Sequence, residues 1–168
     1  MLVEMINAET KQTVSVEADG IDVDALKEQF KLNFSAAEFR RIIDNLDIPA
    51  EVKALLTELL NFSIKAGTVV LEVGKKIIEV IKALTKNFPN ITAGIIIGVT
   101  LSLLVSCIPV FGPLLSWIFT PLLLLLGVGA GILKEYENTD LGKALKDVVD
   151  TIFSGLKKIP VPTIPVAI

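Results

Sequence analysis

"SCIPVFGPLLSW", residues 106–117, lies in the middle of the longest uncharged stretch of the chain. It holds Pro109, Gly112 and Pro113, the residue types of a turn, and no charged side chain. Turns normally sit in water and are polar. An apolar turn implies that this one lies out of water, and what surrounds it decides the fold.

The uncharged stretch runs from Asn87 to Leu133, 47 residues without an Asp, Glu, Lys or Arg. Its breakers divide it into residues 91–108 and 114–133. As helices these would be about 27 and 30 Å long, against about 30 Å for a hydrocarbon core. Their aliphatic side chains favour insertion by on the order of 3 to 7 kcal/mol per segment. The pattern therefore predicts a transmembrane or re-entrant helical hairpin over 89–133, turning at Pro109, Gly112 and Pro113. Gly94 and Gly98 form one pair of small residues four apart, and Gly127 and Gly131 form another. Such pairs let membrane helices approach closely, and folding about Phe111 brings the two pairs together near the base. Pro121 is expected to kink the second helix.

The layout of residues 91–133 is similar to the hydrophobic hairpin of channel-forming colicins, which is hidden inside a helical bundle. That resemblance is one of layout and carries no motif. A hidden hairpin needs a full sheath, and the helices legible in the rest of the chain look too few to supply one. The pentaleucine run 122–126 covers every face of its helix.

Amphipathic segments flank the hairpin. Over 49–88, Val52, Leu55, Leu59, Phe62, Val70, Val73, Ile77, Ile81 and Leu84 gather on one side at 100° per residue. This predicts one long helix, or two joined near Gly67 and Gly74. Within residues 134–158, Asn138 or Thr139 can cap a second amphipathic helix over about 140–157. Lys75, Lys76, Lys82 and Lys86 precede the hairpin and Lys134 follows it. These five lysines are expected to meet lipid headgroups. By the positive-inside rule both termini then lie in the cytoplasm, with the hairpin in an inner or plasma membrane.

Residues 1–48 read as an acidic module. "LVEMI" and "TVSVEA" alternate apolar and polar residues and predict a two-stranded hairpin around "NAETK". "DVDALKEQF" is a short helix. "SAAEFRRIIDN" is a second, with Ser35 and Glu38 spaced as a capping box. The tail 159–168, with prolines at 160, 162 and 165, reads as extended and open to a neighbour. The first twenty residues lack a basic region and an apolar core, so membrane entry is expected through the internal segment.

Composition agrees with this division. The chain is 52% hydrophobic but only 6% aromatic, with mean hydropathy +0.66 and net charge −3. Residues 1–51 hold eleven acids and five bases, a local net of −6, and the remainder carries +3. There is no histidine and one cysteine, Cys107. That removes an intramolecular disulfide, an imidazole base and a histidine metal site. No phosphate loop or nucleophile elbow is present, and the two arginines of "EFRRIIDN" are too few for nucleic acid. No catalytic residue, cofactor or metal is assigned.

The expected fold is therefore mainly α: a membrane hairpin flanked by amphipathic helices, with a small N-terminal β-hairpin and helical module. The expected function is non-enzymatic, a homo-oligomer that scaffolds or remodels a bilayer. A membrane-permeabilising effector and a small membrane-anchor subunit are the alternatives. A protein partner would dock on the N-terminal module or the proline tail.

Overall fold

The computed structural model describes residues 1–6, 13–129 and 131–162. The loop "NAETK" and the tail beyond Pro162 fall outside them. Among the described residues there are four strands and eight α-helices. In order these are β1 (Leu2–Ile6), β2 (Thr13–Glu17), α1 (Val23–Gln29), α2 (Ala36–Asp44), α3 (Ala50–Leu59), β3 (Ser63–Ala66) and β4 (Val69–Leu71). Then come α4 (Val73–Asn87), α5 (Ala93–Cys107), α6 (Phe111–Leu126), α7 (Ile132–Tyr136) and α8 (Asp140–Val148). One π-helical turn, Val149–Phe153, and one 3-10 turn, Ser154–Lys158, follow.

The expected hairpin of strands forms, and it is half of a larger sheet. The order is β2-β1-β3-β4, antiparallel throughout. Val3 stands opposite Val16 and Ala66, and Met5 opposite Val14 and Ile64. Side chains alternate across a sheet, so these residues share one face. Val3, Met5 and Ile64 on that face are fully buried. Glu4, Ser15 and Lys65 share the other.

The second half of the sheet replaces part of the expected 49–88 helix. That stretch is α3, then the hairpin β3–β4, then α4. Gly67, at φ +63°, supplies the left-handed residue of a two-residue loop with Thr68. "SIKAGTVVL" alternates polar and apolar residues over Ser63–Ala66 and ends in the apolar run Val69–Leu71, a composition that suits extended chain. Its apolar residues also recur at helical spacing, which is why a single helix fitted the pattern.

The uncharged stretch is a hairpin of helices, but shorter than expected. α5 has 15 residues and α6 has 16, about 23 and 24 Å. Thr92 caps α5 by accepting the Ile95 N–H. Pro109 disfavours helix at the residue before it, and Ile108 is extended. α6 closes at Gly127, φ +68°, where the Val128 N–H donates to the Leu123 carbonyl at 3.1 Å. This is a left-handed helix terminus of the kind glycine favours. No helix among the described residues is long and apolar enough to cross a membrane. That overturns the expected membrane hairpin. The bilayer-scaffolding, permeabilising and membrane-anchor readings that depended on it fall with it.

The apolar turn is oily because it lies in the protein's own core. Ile108, Val110 and Phe111 are fully buried. Phe111 meets Phe62, between α3 and β3, edge to face with centroids 6.0 Å apart, and Phe153 of the π-helical turn at 6.3 Å. Phe153 in turn meets Phe30, after α1, at 5.5 Å. These four rings tie the hairpin tip to both ends of the chain. Along α5, Ile96, Ile97, Val99, Leu101, Leu103 and Leu104 are buried as well. At roughly 1.5–3 kcal/mol each, their burial contributes on the order of 10 kcal/mol. The sheath that looked too thin in sequence is completed by α3, α4, α7, α8 and the π-helical turn. Leu124 and Leu125 at the far end of α6 stay exposed.

Candidate functional site

A groove of about 440 Å³ opens where α2 crosses α4, lined by Phe34, Glu38, Arg41, Ile42, Lys82 and Lys86, together with Asn45, Leu46 and Thr85. Local sequence sets its walls. Ser35 starts α2 as a capping box: its hydroxyl accepts the Glu38 N–H, and its own N–H donates to Glu38 Oε1, both at 3.2 Å. α2 then buries Phe39, Ile42 and Ile43, and α4 buries Ile77, Ile78, Ile81 and Leu84. Meeting along those faces, the helices leave Arg41 on one rim and Lys82 and Lys86 on the other, above a floor of Ile42 and Leu46.

The segment entering α2 is held by a buried ion pair. Lys76 Nζ lies 3.0 Å from Glu79 Oε2 and also donates to the Lys31 carbonyl at 3.0 Å. The Asn33 N–H donates to Glu79 Oε1 at 2.6 Å. Both charged residues are more than nine-tenths buried. Buried charges persist when paired and hydrogen-bonded. Here they fasten residues 31–33 to α4 and so fix Phe34 at the groove.

Three cations, Arg41, Lys82 and Lys86, line the groove against one carboxylate, Glu38. The Lys82 ammonium sits 4.6 Å from the Phe34 ring centroid, a cation–π contact. Bonds from the Ser35 backbone and side chain hold the Glu38 carboxyl below its ordinary pKa, assisted by the nearby charges of Arg41 and Lys82. Glu38 is thus ionised and committed to the helix start. Among the described residues Arg41, Lys82 and Lys86 form no ion pair.

The five lysines expected to meet headgroups do not make one surface. Lys75 pairs with Glu72 at 2.8 Å, Lys76 is buried, Lys82 and Lys86 line the groove, and Lys134 is exposed on α7. Of the turn residues, Pro109 lies in the connection between α5 and α6, while Gly112 and Pro113 begin α6. Of the paired glycines, Gly94 faces Leu126, and Gly98 faces Leu123, Val128 and Ile132. Gly127 and Gly131 have open space where a side chain would go. The glycine pairs therefore do not face each other.

Sequence reasoning missed Phe34, Glu38, Arg41 and Thr85 as groove residues. The capping box marked where α2 begins, but nothing along the chain told that α2 lies on α4. Comparison with known protein families, curated proteins and solved structures returns no match.

Proposed function

We propose that the chain is a non-enzymatic binding protein whose α2–α4 groove takes a small amphipathic anion, a carboxylate or phosphate on a short apolar body. The observation that carries this reading is the convergence of Arg41, Lys82 and Lys86, free of ion pairs among the described residues, over the apolar floor of Ile42 and Leu46. The chain as a whole is acidic, so a basic groove with an oily floor is a local feature. Arginine suits a forked contact to carboxylate or phosphate, and lysine supplies point charge. The groove size falls within the usual span for small-molecule sites, about 300–1,000 Å³. Its carboxylate is occupied by Ser35, which leaves the groove equipped to hold charge rather than to move a proton.

Titration with octanoate, octyl phosphate, octanol and inorganic phosphate, followed by amide chemical shifts, tests this. Octanoate or octyl phosphate should shift the amides of Arg41, Asn45, Thr85 and Lys86. Octanol and inorganic phosphate, each with half of the required chemistry, should bind more weakly. Arg41→Ala and Lys82→Ala should each weaken binding about tenfold, the size of one charged hydrogen bond. The absence of shifts at the groove up to about 10 mM ligand, weaker than any specific site, would sink the proposal.

A further inference from the structure

The sheet order leaves β2 and β4 as edges. β4 has three residues and packs against α1. β2 has five, Thr13–Glu17, in regular register, with no lysine, proline or bulge. Those are the devices that normally blunt an edge.

The neighbouring strand fixes which β2 groups face outward. The Ala18 N–H donates to the Met1 carbonyl at 3.0 Å, so these residues form a hydrogen-bonded pair. Such pairs alternate along an antiparallel ladder, so Val16 and Val14 bond toward β1. The Gly67 N–H, donating to the Leu2 carbonyl from the other side, agrees with this alternation. The N–H and C=O groups of Thr13, Ser15 and Glu17 therefore point away from β1, with no backbone partner among the described residues.

This outward pattern is self-complementary. A two-fold axis through Ser15 lays β2 antiparallel on the β2 of another copy. Ser15 then opposes Ser15, and Thr13 opposes Glu17. All three outward residues form bonded pairs, each exchanging two backbone hydrogen bonds. On the inner face Val14 meets Val16, both half-buried in the single chain, and no acid faces an acid. Moving the register by one residue sets bonded against unbonded positions.

We propose that β2 is a homodimerisation edge, pairing with a second copy about Ser15 to make one continuous eight-stranded sheet. The inference is independent of the groove. A five-residue strand contact is small, so association belongs at the weak end of specific interfaces. Sedimentation of the full chain from about 10 µM to about 1 mM, concentrations suited to such a weak contact, should show a monomer–dimer equilibrium. Ser15→Pro removes an outward N–H that the monomer does not use, and should leave the protein monomeric with an unchanged circular dichroism spectrum. Ser15→Cys, in a Cys107→Ala background, should form a disulfide-linked dimer on oxidation. Opposed residues in a bonded pair lie about 5.5 Å apart at Cα, within disulfide reach. A wild-type chain still monomeric at about 1 mM, or a dimer that survives Ser15→Pro and does not cross-link at residue 15, would overturn the proposal. The first result would leave the edge to an extended segment of a different protein, the second to a different dimer surface.

Discussion

Gly74→Ala is expected to cost more than about 4 kcal/mol, beyond the range of ordinary substitutions, and to lower the urea midpoint sharply. A Cβ at Gly74 would lie 1.7 Å from the Leu59 carbonyl oxygen and 2.8 Å from its carbon. Both are backbone atoms, so no side chain can rotate aside. The Gly74 N–H also donates to the Phe62 carbonyl at 2.9 Å, which holds the end of α3 and the start of α4 in contact. Parting them pulls Ile77 and Ile78, both fully buried, away from the core, and strains the Lys76–Glu79 clamp beyond. Domains of this size have about 5–15 kcal/mol in total, so the loss is a large share of the whole. Urea unfolding followed by circular dichroism measures the loss. Gly112→Ala is the matched control, because a Cβ there meets nothing within 4 Å and alanine is the better helix former by about 1 kcal/mol. A Gly74→Ala protein as stable as the control would mean that α3 and α4 do not cross there.

Phe111→Ala carries the second large expectation, a loss of about 3–5 kcal/mol. Phe111 is fully buried, with Phe62 and Phe153 edge-on to it. Truncation removes both ring contacts and leaves a cavity bounded by elements from distant parts of the chain, which cannot all collapse inward. Leu124→Ala, at 78% exposure, should change stability by less than about 0.5 kcal/mol. Both residues belong to the same uncharged run, so hydropathy alone gives no reason for the difference. Equal losses at the two positions would mean that the hairpin tip is not enclosed.

Much of the local structure was legible in the residues. Alternation disclosed β1 and β2, the Ser35–Glu38 spacing disclosed the start of α2, and Pro109 marked the break between the two apolar helices. Thr139 is one of the two caps expected for α8. The surroundings of the hairpin were not legible, because burial in lipid and burial in a protein core select the same aliphatic side chains. The decisive difference lay in length. Ile91 and Thr92 precede α5, and α6 runs from Phe111 only to Leu126, so each helix is shorter than the span expected of it. Inside 49–88, the nine residues of the β3–β4 hairpin were hidden by neighbours that also satisfied a helical period. That omission removed half of the sheet. The groove was illegible for a different reason. Arg41 and Lys82 are ordinary exposed residues on their own helices, and only tertiary packing sets them face to face.

Enclosure of the apolar hairpin is the claim on which the rest depends, and hydrogen exchange of the native protein in aqueous buffer tests it most directly. Amides of α5 from Ile96 to Leu104 should exchange only through global unfolding, with the same opening free energy as the core strands β1 and β3. Exchange of α5 at a lower free energy, while β1 and β3 remain protected, would contradict the account, because the hairpin would then open on its own while the rest of the core stayed closed.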